Sequence, residues 1–159
     1  MCLGGHLAFR CALDPRVSAA VTYFATDLHS ATLGLGGDDS LARSGEIKAE
    51  LAMIHGTLDN HVPPEGRDLI RRTLRDKGII FSWYEPAGAQ RKFPPLKLYL
   101  RARSEYIIDA FIRDELSKGR YDPAISKNCF EILLELFGRT LKLDLGAHDG
   151  VAQQIEDIC

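Results

Sequence analysis

Cys2 stands just ahead of the glycine pair Gly4 and Gly5 in MCLGGHLAFR, where a helical pattern begins at once. A thiol in front of a helix faces unpaired amides and the positive end of the helix dipole, and both favour the thiolate. The N–H of Leu3 follows it, as the oxyanion donor follows the nucleophile in a strand–turn–helix elbow. The same pattern also suits an ordinary buried thiol. The second chemical residue is Asp59, in HGTLDNHVPP. It follows an apolar run, and the loops at the carboxyl ends of parallel strands carry ligand and catalytic groups. An aspartate there can orient a histidine and stabilise its imidazolium; an Asp-Asn pair is equally a turn former.

The elements that must position these two residues follow from the hydrophobic periods. Leu3 to Leu13 reads as a helix with Leu3, Leu7 and Cys11 on the inward face. Asp14-Pro15 ends it, because the residue before a proline avoids the helical region. VSAAVTYFAT (17–26), ELAMIHG (50–56) and IIFSWYE (79–85) read as buried strands. A loop with the turn-prone GLGGDDS separates the first two. Pro64 opens a helix with Leu69, Ile70 and Leu74 inward, and Gly78 ends it. Asp122 and Pro123 cap and open a last helix carrying Ile125, Cys129, Ile132, Leu133, Leu136, Phe137 and Leu141. Helices alternating with buried strands predict an α/β fold, a mostly parallel sheet flanked by helices.

Composition narrows the function classes. The 159 residues suit one domain, and 45% apolar residues suffice for a core. A net charge of −2 gives no basic surplus for nucleic acid. No apolar stretch reaches the length of a membrane span, and no secretory signal pattern opens the sequence. The expected location is therefore the cytoplasm. Cys2, Cys11, Cys129 and Cys159 form no C-x-x-C pair, so zinc-ribbon and thioredoxin-like readings have no support. Cys11 and Cys129 are expected in the core. His6, four residues from Cys2, is expected on the helix surface. Cys2 and His6 are too few for a metal site, which needs three or four converging ligands; His55, Asp59 and His61, clustered at one strand end, are a minor candidate. The expectation is no metal and no cofactor.

Taken together, MCLGGHLAFR, VSAAVTYFAT, ELAMIHGTLDNHVPPEGRDLIRRTL, FSWYEPAGAQ and AFIRDELSKGRYDPA resemble the carboxyl-terminal half of the dienelactone hydrolase family. The likeness runs from Cys2 to about Leu141. It implies a partial, truncated α/β-hydrolase domain over residues 1–145 with a tail at 146–159. It also implies hydrolysis of small carboxylic esters or lactones, with no cofactor. The family nucleophile is a cysteine in G-x-C-x-G-G; Cys2, Gly4 and Gly5 match, and the first glycine has no counterpart. Under this resemblance Cys2 is the nucleophile, Leu3 the oxyanion donor, Asp59 the triad acid and Arg113 the ligand of a substrate carboxylate, a task that suits an arginine fork. The partner is then a small ester or lactone, not nucleic acid or a membrane.

Two departures stand out. The family triad histidine belongs in a Q-H-A-F run, but here Gln90 and Ala110 are separated by residues 91–109. Arg91 stands beside Gln90 and Asp109 beside Ala110, and neither is a histidine. The codons CGT AAG TTC for Arg91-Lys92-Phe93 and ATA GAC for Ile108-Asp109 would supply an intron donor and acceptor. Excising the stretch between them would restore one histidine codon. Residues 91–109 thus read as an unspliced intron, or else as a true surface insertion, which loop entropy tolerates. The family also has strands ahead of the elbow that have no counterpart here. The strand at 17–26 would then present an open apolar edge prone to self-association. Without its base and those strands, the chain is expected to be inactive or severely impaired, since proton transfer is worth ~10²–10⁴-fold. The alternative is a non-catalytic fragment or interaction module. If the intron reading holds, sequencing the mature transcript across Gln90–Ala110 returns messages lacking the stretch; a homogeneous message that retains it overturns the reading.

Overall fold

The computed structural model describes residues 2–32, 38–87 and 121–141. The order is α1 (Leu3–Cys11), β1 (Ala19–Tyr23), a 3₁₀ turn (Ala42–Glu46), β2 (Glu50–Ile54), α2 (Pro64–Asp76), β3 (Phe81–Tyr84) and α3 (Pro123–Thr140). Among the described residues the strands form one parallel sheet in the order β1-β2-β3. Ala20 pairs with Leu51, and Met53 with Trp83. The insertion at 91–109, Gln90, Ala110, Arg113 and the tail from 146 lie outside the described residues.

Alternation along β2 decides the layers. Leu51 and Met53 point to a core shared with Phe9 of α1, Ala12 just after it, and Ile70 and Leu74 of α2. Ile54 points the other way, with Phe24 and Cys129, against Ile125 and Ile132 of α3. Helices thus cover both faces, as a parallel sheet with apolar strands requires. Arg139 of α3 adds an ion pair to Glu50 at the start of β2 (2.5 Å). Asp122 caps α3, its carboxylate accepting from the Ile125 N–H (3.0 Å). Gly78, in the left-handed region at φ 68°, follows the end of α2 as its sequence position predicts.

Helix α1 turns a different face inward from the one its hydrophobic pattern predicts. Gly5, His6, Phe9 and Ala12 are buried, whereas Leu3 and Leu7 are each 52% exposed and Cys11 is exposed. The cause is steric. Gly5 lies so close to β1 that a Cβ there would collide with the Tyr23 carbonyl and approach the Ala25 Cα to 3.1 Å. Only the glycine face permits that approach, and it carries His6 inward with it. Leu69 departs in the same way: it is 37% exposed, while Ile70 and Leu74 are fully buried.

Gly4, the other half of the pair, meets no atom within 4 Å of a built Cβ. The two glycines should therefore respond oppositely to alanine. Gly5→Ala is expected to lose about 1–3 kcal/mol through overpacking. Gly4→Ala should be neutral, or gain up to about 1 kcal/mol from reduced chain entropy. Denaturant midpoints of the two variants check this, and equal midpoints would remove the close-approach argument.

Candidate active site

Cys2 occupies a sharp turn at the amino end of α1. Its φ of 50° and ψ of −119° lie where L-residues are strained. Its N–H donates to the carbonyl of Tyr23, the last residue of β1 (3.1 Å), and its own carbonyl accepts from the His6 N–H (3.1 Å). The side chain is half-buried. On the β1 side of the same bond, Phe24 is also left-handed, at φ 50°, and its side chain is fully buried. Two strained residues therefore flank one main-chain hydrogen bond, and this holds Cys2 at the carboxyl end of the sheet. The other thiols differ in kind. Cys129 is buried and pushed up to about 11 by that burial, so it packs rather than reacts. Cys11, expected in the core, is exposed because of the rotation of α1.

His6 belongs inside, not on the surface. Only 2% of it is exposed. Its Nδ1 lies 2.7 Å from the Thr26 carbonyl, which can only accept, so Nδ1 carries the proton. Its Nε2 meets the Ser40 hydroxyl at 2.7 Å. Ser40 also accepts from Arg10 (3.0 Å), and Arg10 pairs with Asp38. This network fastens α1 to the loop after β1 and to the segment before β2. It is structural, since both ring nitrogens of His6 and the Ser40 hydroxyl already have protein partners.

Asp59 sits at the same end of the sheet, in the loop after β2, with only 2% exposed. Its Oδ1 accepts from the N–H groups of His61 (2.8 Å) and Val62 (3.2 Å), so the turn-forming reading of this residue holds in full. The turn also immobilises the carboxylate. Arg67 of α2 lies behind the loop. Its guanidinium donates to the carbonyls of Val62 (2.7 Å), Thr57 (3.1 Å) and Asp59 (3.4 Å), and to Glu85 (3.2 Å). Glu85 also accepts from the Trp83 indole (2.8 Å). The loop after β1 also reaches α2, where the His29 ring packs on Gly66 in the first turn.

His55, at the end of β2, was grouped with Asp59 and His61 by sequence. The structure separates them: His61 is exposed, and His55 is fully buried, stacked on Trp83 at 4.9 Å and 18°. Neither ring nitrogen of His55 finds a hydrogen-bond partner among the described residues. Nor do three His, Cys, Asp or Glu side chains converge there in a way that could hold a metal ion. Arg67 escaped the sequence reading, although it carried a signal. It lies three and seven residues before Ile70 and Leu74, on the buried face of α2.

The first 90 residues, more than half the chain, match the model of the dienelactone hydrolase family. The chain belongs to the dienelactone hydrolase family. All of it aligns at 48% identity with a candidate carboxymethylenebutenolidase of Saccharomyces cerevisiae, of which it covers 53%. Among solved structures, a candidate dienelactone hydrolase from Klebsiella pneumoniae superposes with a TM-score of 0.62 at 16% identity, over 87% of this chain and 50% of that one. A dienelactone hydrolase-like promiscuous phosphotriesterase from metagenomic libraries gives 0.59 at 18% identity, over 88% and 50%. These likenesses establish the α/β fold. The chain spans about half the length of the dienelactone hydrolase relatives it matches.

The buried imidazole yields a pH prediction. Burial, reinforced by the Arg67 and His29 charges, pushes His55 down to about 3. The folded state therefore keeps it neutral while the unfolded chain binds a proton below the ordinary value of 6.5. Stability present at neutral pH is lost as the pH falls through that window, by about 2 kcal/mol between pH 7.5 and 5. His55→Phe keeps a ring on Trp83 and removes the titration, so its urea midpoint should fall less than that of the parent over this range. Parallel falls would show that other groups dominate.

Proposed function

We propose that this chain carries the acyl-transfer site of a hydrolase acting on small carboxylic esters or lactones, with Cys2 as nucleophile. In this reading the Cys2 thiolate attacks the carbonyl carbon, and the Leu3 N–H stabilises the oxyanion. Asp59 orients the base that takes and returns the proton. Water then displaces the acyl group from sulfur, releasing the acid and regenerating the thiol. Arg113 holds a substrate carboxylate. The chain needs no cofactor for these steps. We place the protein in the cytoplasm; among the described residues no helix is long and apolar enough to cross a membrane.

One observation carries the reading: Cys2 stands in a strained left-handed turn at a helix start, at the carboxyl end of a parallel sheet. The Asp59 loop lies at that same end. Strain of this kind persists where the surrounding structure enforces it, and it clusters at working sites. The base is the weak point. Gln90 and Ala110 flank residues 91–109 where the family pattern has one histidine. We therefore propose an impaired catalyst, since a cysteine retains part of its nucleophilicity without a general base.

A second reading, a non-catalytic interaction module, is favoured by the outer edge of β1. No strand pairs there among the described residues, and open edges recruit further strands or second copies. Hydrolysis of p-nitrophenyl acetate by the purified chain separates the two. Slow turnover abolished by Cys2→Ala, with the circular dichroism spectrum preserved, is the expected result. A well-folded parent whose rate equals that of Cys2→Ala would overturn the catalytic reading in favour of the module.

A further inference from the structure

We infer that Arg67 is the positioning residue of the Asp59 loop, acting as a buried clasp that sets where the carboxylate points. The inference rests on the reading of Asp59 as the acid of the site. Arg67 is 5% exposed, deep for a guanidinium, and its environment explains why it is tolerated there. Carbonyl oxygens of Thr57, Asp59 and Val62 surround one edge, and Glu85 takes Nε–H at the other. Those three carbonyls bracket the turn whose amides, His61 and Val62, bind Asp59 Oδ1. The clasp therefore holds the carbonyl side of a turn, and the carboxylate holds its amide side.

The geometry demands arginine. A planar fork with five donors can serve three carbonyls and a carboxylate together, whereas an ammonium cannot span them. Glu85 fixes the fork in turn, and it is itself fixed by the Trp83 indole. Trp83 lies against His55, just past the end of β2, and beneath the Arg71 guanidinium at 5.7 Å. Aspartate orientation is thereby referred to β2, β3 and α2 at once, rather than left to a loop.

The test is amide hydrogen exchange followed by NMR, which needs no turnover and so stands apart from the ester assay. Two variants are compared with the parent: Arg67→Lys, which keeps the charge for Glu85, and Arg67→Met/Glu85→Gln, which removes the ion pair without stranding either charge. In both, exchange at the His61 and Val62 amides should accelerate by about tenfold or more, the effect of losing a buried hydrogen bond's protection. Their proton resonances should move toward those of Asp59→Asn. Leu51 and Phe24, whose amides bond within the sheet, should exchange as in the parent. Arg67→Lys separates the roles: thermal stability should recover toward the parent while the two loop amides stay fast. If Lys restores both, or if loop and sheet amides accelerate together, Arg67 is only a stabilising ion-pair partner and the inference fails. Failure of Cys2-dependent hydrolysis with the exchange pattern as expected would instead overturn the catalytic reading and leave the clasp standing.

Discussion

The architecture depends on one main-chain contact, the seating of the first turn of α1 on the end of β1. Cys2 N–H donates to the Tyr23 carbonyl, and Gly5 lies against that same oxygen. Backbone can approach backbone this closely only where no Cβ intervenes. Once the approach is fixed, so is the rotation of the helix. Phe9 and Ala12 enter the core, His6 meets Thr26 and Ser40, and Cys2 is held in its left-handed turn. The exposed Leu3 and Leu7 are the cost of that choice.

The opposite side of the site is built on a different principle. The Asp59 loop seats Val62 in the main core and is otherwise held by polar contacts, with a buried cation at their centre. Burying a guanidinium is unfavourable unless its donors are satisfied. Arg67 meets that condition with three carbonyls and Glu85. The result is a loop held by strands and a helix that lie on the main core. Sterics fix the thiol and hydrogen bonds fix the carboxylate, and both stand at the carboxyl end of the sheet.

His55 shows how much apolar context tolerates when geometry forces it. Its position at the end of β2 points it into the layer of Met53 and Trp83, where an imidazole stacks well but meets no donor or acceptor among the described residues. Remaining neutral is the physical answer, and burial enforces it.

Much of this was legible in the chain itself. Three apolar runs, the Pro64 start, the Gly78 stop and the Asp122 cap fixed the elements, because each rests on local stereochemistry. The placing of Cys2 at a helix start and of Asp59 in the loop after a strand was legible for the same reason: a residue type at an element boundary is a local fact. What tertiary structure alone decided were the choices between faces and partners. Hydrophobic pattern favoured Leu3, Leu7 and Cys11 for the core of α1, and the steric demand of Gly5 against β1 overrode it. His6 and Arg67 became buried connectors, and Glu85 a half-buried one, because residues 20, 34, 5, 10 and 18 positions away in the chain supply their bonds. Sequence sets what each segment can become; the distances between segments decide which of its side chains is used.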